Sequence, residues 1–174
     1  ALPYDEVGAF MGELELRDGV SARGLEFQIL TAARTGEVMM STWAEIDLDK
    51  AIWTIPADRM KGGKEHRVPL PEKAVTLLRG MQDTAVSEFV FPGAQSNRPL
   101  SNMAFLQLIK RMGRAGLTAH GFRSTFRDWI AERTIHPSEV AEMALAHAVS
   151  DKVEAAYRRG DLFDKRKRMM RDWA

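Results

Sequence analysis

At 174 residues, 45% hydrophobic and 28% charged, the chain has the composition of an ordinary globular domain and the length for one core or two small ones. It has no cysteine, which excludes disulfides and thiolate metal sites and fits a reducing compartment. No apolar run reaches the roughly 18–20 residues of a membrane span, and "ALPYDEVGAF" lacks the basic-then-apolar order of a secretory leader. The net charge of +1 says nothing about nucleic acid, but its distribution does. The segments "RMKGGKEHR" and "RRGDLFDKRKRMMR" are basic while "GELEL" and "AEIDLD" collect the acids, so one face can be basic. Taken alone, such runs more often read as solvated charged loops.

"PYDEVGAFMGEL" predicts a helix, with acids at its N-terminus and an apolar rhythm at Val7, Phe10, Met11 and Leu14. "SARGLEFQILTAA" predicts a second, more buried helix over Ser21–Ala33, broken at Gly36. "EIDL" and "AIWTIP" flank Asp49-Lys50 and read as a hairpin, the second strand rich in Ile, Trp and Thr. A third strand, "HRVPL", follows a tight turn at Gly62-Gly63. Beyond it the chain reads helical. Pro71 sits in a first turn, Ser101 is a candidate cap, and "HGFRSTFRDWIAERT", "HPSEVAEMALAH", "SDKVEAAYRRGDL" and "FDKRKRMMRDWA" follow. The predicted class is mainly α with a small three-stranded antiparallel β-sheet, in one domain without repeats.

Helical spacing lets Phe122, Phe126 and Trp129 face a core while His120 and Arg123 emerge together at one end, a pair suited to an anion. Arg34 and Glu37 follow "ILTAA", Lys61 sits at the Gly-Gly turn, His147 ends "VAEMALAH", and Tyr157 lies in "EAAYRR". Chemically this is a phosphate-transfer set. Arginines clamp phosphate oxygens and stabilise transition-state charge, histidines and a lysine move protons, and a tyrosine hydroxyl can attack. Each member also has an ordinary reading: a surface ion pair for Arg34 and Glu37, a solvated lysine, a helix-start or helix-end histidine, a core tyrosine. His136 is explained by helix entry before Pro137, and His66 reads as an ordinary strand residue. No carboxylate cluster of a two-metal nuclease is apparent. His120, His136 and His147 lack the i, i+4 spacing of a helical metal site, and no carboxylate completes a set.

The order of the motifs adds what no single residue carries. "ARTGEV" (Ala33–Val38), "RMKGGKEHRVPL" (Arg59–Leu70), "HGFR" (His120–Arg123), "LAH" (Leu145–His147) and "AAYRRGD" around Tyr157 together resemble the catalytic domain of tyrosine recombinases, the phage-integrase family. "WAEIDLDKAIWTIPADRMK" is similar to the P4-like prophage and genomic-island integrases, and the resemblance covers nearly the whole chain.

The resemblance implies a site-specific recombinase in which Tyr157 forms a 3′-phosphotyrosyl link to DNA. It implies that Arg34 and Arg123 hold the phosphate and that Lys61 is the general acid for the leaving oxygen. His120 would assist proton transfer, His147 would bond a phosphate oxygen, and Glu37 would orient the site from behind. It implies no cofactor, neither metal nor ATP. The implied partners are double-stranded DNA attachment sites, a homotetramer working through a Holliday junction, and DNA-bending accessory proteins, in the bacterial cytoplasm at the nucleoid. Residues 1–174 would be the C-terminal catalytic domain, with core-binding and arm-binding domains absent from this chain. The last segment would pack on a neighbouring protomer or on its own domain through Phe163, Met169, Met170 and Trp173. Two alternatives stay open: a type IB topoisomerase-like enzyme and an inactive DNA-binding relic of an integrase.

Overall fold

Three residues matter most to the first helix. Val7, Phe10 and Leu14 are buried on one side of α1 (Val7–Glu15), which is entered through a 3-10 turn at Tyr4–Glu6. The structure, a computed structural model, describes residues 1–95, 97–147 and 160–174.

Helix α2 (Val20–Thr31) is buried on nearly every side, including the polar Glu26, Gln28 and Thr31. A helix surrounded in this way is the hub of its domain rather than a surface element. It stops short of the predicted end. Ala32 turns left-handed at φ 55°, and Gly36 lies inside a further short helix, α3 (Thr35–Met39), rather than breaking one. The left-handed turn presents the Ala32 carbonyl to Arg123, which donates to it.

The predicted hairpin forms. Strands β1 (Ile46–Asp47) and β2 (Ile52–Ile55) pair antiparallel, and the Asp47 carboxylate accepts the Lys50 N–H across the turn at 2.9 Å. Strand β3 (His66–Pro69) pairs antiparallel with β2, setting His66 opposite Ile55 and Val68 opposite Trp53. Trp53 and Ile55 are wholly buried, so that face of the sheet is the core face.

Helix α4 (Glu72–Asp83) starts directly after Pro71. Helix α5 (Ala104–Arg111) begins later than predicted, because the Ser101 hydroxyl accepts the Met103 N–H one turn ahead of the helix. Helices α6 (Gly121–Arg133), α7 (Ser138–Ala144, after Pro137) and α8 (Phe163–Trp173) complete the described elements. The predicted helix around Tyr157 lies outside the described residues.

Among the described residues the buried apolar side chains form two clusters. The first joins α1, α2, the sheet, α4 and α5, with Phe27 stacked at a tilt on Trp53 and Phe91. The second joins α6, α7 and α8, with Trp173 edge-on to Phe126 at 5.3 Å between centroids. Helix α6 spans both. Phe122 enters the first cluster, while Phe126 and Ile130, with Trp129 against them, enter the second. Helix α8 therefore docks on its own chain through Met169, Met170 and Trp173, and Trp173 Nε1 donates to the Ile29 carbonyl of α2 at 2.6 Å. Among the described residues no helix is long and apolar enough to cross a membrane.

Candidate active site

Arg34 stands at the start of α3 with extended backbone. The Glu37 carboxylate, one turn on, accepts both the Arg34 backbone N–H and its guanidinium, each at 3.0 Å. That is one half of a capping box; an arginine has no acceptor with which to return the other half. Glu37 is buried and Arg34 is about a quarter exposed, so the pair is a fixed element rather than a loose surface contact.

Arg123 departs from the sequence expectation. It does not emerge at the helix end beside His120. It is buried at 6% exposure on the inner side of α6, while His120, just before the helix, is exposed. The guanidinium donates to the Ala32 carbonyl at 2.6 Å and the Leu145 carbonyl at 2.7 Å, tying the end of α2 to the end of α7. Burial, then the neighbouring charge of Arg34, lowers its pKa to about 10, and Glu37 works in the opposite direction. Its direct partners among the described residues are two carbonyls and the His147 ring. A buried cation with no carboxylate of its own is costly unless an anion is to be received there.

His147 closes the gap at the end of α7. Its Nε2 lies 3.5 Å from the Arg123 guanidinium and its Nδ1 lies 2.8 Å from the Glu142 carboxylate. Since an arginine only donates, Nε2 accepts and Nδ1–H donates. Glu142 is in turn held by Arg127 at 2.8 Å. Burial alone would raise the Glu142 pKa, but the bonds from His147 and Arg127 outweigh it and the net shift is downward. Lys61 is exposed at a turn closed by the Gly63 N–H on the Met60 carbonyl at 3.0 Å. Gly63 has φ 69°, a conformation that costs glycine little. The structure thus brings Arg34, Glu37, Arg123 and His147 together. His120 and Lys61 stay exposed without side-chain hydrogen bonds among the described residues, and Tyr157 lies outside them.

Several residues that the sequence reading passed over belong to the same region. His66, read there as ordinary, has its pKa pushed down to about 4, first by burial and then by the nearby charge of Arg166, with Arg34 and Arg123 adding smaller contributions. It is a neutral imidazole among three guanidinium groups. The available signal was the alternation of β3, because Val68 faces inward and His66, two residues away, must share its face. Gln28, 1% exposed, joins three parts of the site. Its amide donates to the Ala119 carbonyl at 3.2 Å, just before His120, and to the Thr35 hydroxyl at 3.1 Å, just after Arg34. The Arg67 guanidinium donates to both carboxylate oxygens of Asp161, at 2.9 and 3.1 Å. Arg166 is 1% exposed and donates to the carbonyls of Arg67 and Asp161. This cluster fastens α8 to β3. Among the described residues no group of three or more His, Cys, Asp or Glu side chains could hold a metal ion.

Residues 2–161 match the model of the phage integrase family. The chain is 35% identical over 176 residues to prophage integrase IntZ of Escherichia coli (strain K12), covering 99% of this chain and 44% of that protein. It is 29% identical over 194 residues to the integrase of Enterobacteria phage P4, covering all of this chain and 44% of that protein. The chain belongs to the phage integrase family. It spans about half the length of the curated relatives it matches.

Two solved structures share the fold. An integrase from mycobacterium phage Brujita superposes with TM-score 0.74 at 15% identity, over 100% of this chain and 58% of that one. A lambda integrase, solved as a tetramer bound to a Holliday junction, superposes with TM-score 0.63 at 19% identity, over 92% of this chain and 48% of that one. The predicted fold class, mainly helical with a three-stranded antiparallel sheet, is the one found.

Proposed function

We propose that this chain is the catalytic domain of a site-specific DNA recombinase, a prophage integrase. By this reading it cuts and rejoins double-stranded DNA through a 3′-phosphotyrosyl intermediate. The observation that carries the reading is Arg123: a buried cation whose direct partners among the described residues are two carbonyls and an imidazole, next to the charge of Arg34. Such a site is organised for an anion before the anion arrives. The relatives found are integrases, which favours this reading over a topoisomerase or a relic.

The roles are those that the family resemblance implies, and the chemistry of the side chains is consistent with them. Arg34 and Arg123 hold the non-bridging oxygens of the scissile phosphate and offset the charge of the pentacoordinate transition state. The Tyr157 oxygen attacks phosphorus while His120 takes its proton. The bond from phosphorus to the 5′ oxygen breaks as Lys61 supplies that oxygen with a proton. The products are a phosphotyrosyl ester at the 3′ end and a free 5′-hydroxyl. Glu142 on Nδ1 leaves Nε2 of His147 turned toward Arg123, and a proton taken up there when the phosphate binds would let Nε2 donate to a phosphate oxygen. Glu37 fixes the Arg34 guanidinium. The ester keeps the energy of the broken bond, so a 5′-hydroxyl of another strand reverses the step without ATP.

The partners follow from the same reading. Four protomers exchange strands between paired attachment sites, as the lambda neighbour's assembly on a Holliday junction suggests. Core-binding and arm-binding domains outside residues 1–174, with DNA-bending proteins, select the site, in the bacterial cytoplasm at the nucleoid.

The test uses nicked duplexes tiled across the DNA flanking the parent gene, incubated with the full-length protein at low salt in a chelator. A denaturing gel then reports any protein–DNA adduct. The wild-type protein forms one, and Tyr157→Phe forms none while still binding DNA. An undiminished adduct in that variant would sink the assignment.

A further inference from the structure

The lysine turn raises a positional problem. Lys61 is exposed, and its ammonium has no ion pair among the described residues, so among these only its backbone sets where it points. A flexible four-carbon stem amplifies any error at its root. The root is held from one side by Met60, buried at 8% exposure in the first apolar cluster. From the other side it is held by Arg59. That guanidinium donates from Nε to one Glu45 oxygen at 2.9 Å and from Nη2 to the other at 2.6 Å. The same Nη2 reaches the backbone carbonyl of Glu37 at 3.3 Å. Glu45 is itself pinned by the indole N–H of the wholly buried Trp53 at 3.1 Å.

Glu37 is the residue whose carboxylate holds Arg34. An unbroken line of contacts thus runs from Arg34 through Glu37 and Arg59 to Glu45 and Trp53. It ties the arginine helix and the sheet to the residue two places before Lys61. The Arg59 and Glu45 side chains are only 19% and 10% exposed, so this is a planar two-point lock shielded from water rather than a loose surface pair.

We propose that Arg59 is a positioning residue for the strand-transfer reaction, setting the root of the lysine turn against the Arg34–Glu37 helix so that Lys61 meets the leaving 5′ oxygen. The inference rests on the function proposed above, in which Lys61 is the general acid. Glu45 acts through Arg59. A lysine at position 59 would keep the charge but lose the two-point grip.

The test separates positioning of the acid from general support of the fold. It compares two nicked substrates for the full-length protein, one with the natural 5′ oxygen at the scissile bond and one with sulfur in its place. A thiol with a pKa of roughly 8.5 leaves as thiolate without a proton donor, whereas an alkoxide does not. A missing or misplaced acid is therefore rescued by sulfur, but a damaged phosphate clamp or a loosened fold is not. A misplaced catalytic group costs on the order of 100-fold, and loss of a general acid costs from about 100-fold upward.

Single-turnover adduct formation by Arg59→Gln is expected to fall at least about tenfold on the oxygen substrate and to stay within about threefold of wild type on sulfur. Lys61→Ala shows the same rescue, and combining it with Arg59→Gln costs no more than Lys61→Ala alone. Arg59→Lys and Glu45→Gln are read in the same way, so a poorly folded Arg59→Gln does not stop the experiment. Equal losses on both substrates, or additive losses in the double variant, overturn the role of Arg59. A wild-type protein that forms no adduct on either substrate overturns the proposed function itself, and this inference with it.

Discussion

Truncating Arg123 to alanine should damage catalysis far more than folding, and the structure gives a reason for the imbalance. Two charge-assisted bonds, to Ala32 at 2.6 Å and Leu145 at 2.7 Å, are lost. Bonds of that type contribute about 1.5–3 kcal/mol each, or about 3–6 kcal/mol together. Against this, the fold works to keep the guanidinium charged. Burial and the neighbouring charge of Arg34 lower its pKa to about 10, a cost of about 3 kcal/mol that truncation relieves. The net loss of stability is then about 0–3 kcal/mol. In the proposed reaction no such offset exists, because a bound phosphate would turn the neighbouring positive charge from a cost into a gain. One positioned donor on developing charge supplies roughly 3 kcal/mol or more, so adduct formation should fall by more than about 100-fold. Arg123→Lys keeps a charge but cannot bridge two carbonyls and a phosphate oxygen in one plane, and should recover only a small part of the rate. Urea unfolding gives the first quantity and single-turnover adduct formation the second. A rate within tenfold of wild type in Arg123→Ala would remove this residue from the site.

Two further perturbations probe the scaffold. The His66 pKa is depressed in the fold, so the unfolded chain takes up its proton first as pH falls. Its contribution is intact above pH 6.5 and is lost progressively down to about pH 4, up to about 3 kcal/mol in all. Urea unfolding of wild type and His66→Gln at pH 7 and pH 4 should therefore show a steeper loss for wild type, and parallel losses would refute it. Trp173→Ala removes the ring packed on Phe126 and Trp129 and the bond to Ile29, and should cost about 3 kcal/mol in thermal unfolding, releasing α8 to protease. A loss under about 1 kcal/mol, with no added cleavage near α8, would show that the helix is held elsewhere.

What the sequence revealed of this site is what local chemistry can encode. The hairpin was legible because β-branched and aromatic residues bracket a polar turn, and α6 was legible from the spacing of Phe122, Phe126 and Trp129. Arg34 and Glu37 stand three residues apart, so their pairing could be anticipated. Arg123 was found by its motif, but its burial was not. Which side of α6 faces inward at its first turn depends on the Ala32 and Leu145 carbonyls, 91 and 22 residues away. The Arg67–Asp161–Arg166 cluster was invisible for the same reason, since its partners are 94 and 99 residues apart and each reads as one more charge in a basic or mixed segment. His66 was legible in principle. Strand alternation placed it on the core face, but a histidine beside a lysine-rich turn invites a surface reading.

The arrangement also explains why so few acids accompany so many cations. Arg34, Arg123 and Arg166 all act on the His66 ring, and Arg34 depresses Arg123. Like charges this near one another repel, and a fold with no means to restrain them would let the side chains swing into water. Here each is tethered by its own route: Arg34 by Glu37, Arg123 by two carbonyls, and Arg166 by the carbonyls of Arg67 and Asp161. Carbonyls orient a guanidinium without cancelling its charge, whereas a carboxylate would do both. Arg34, the most exposed of the three, has a carboxylate hydrogen-bonded against it that also serves the backbone of the helix it begins, and the Asp161 carboxylate, shared with Arg67, stands 3.8 Å from Arg166. The field therefore stays positive toward the space where a phosphodiester would sit. The repulsion stored among the arginines is released when that anion binds, and more so as its charge grows in the transition state.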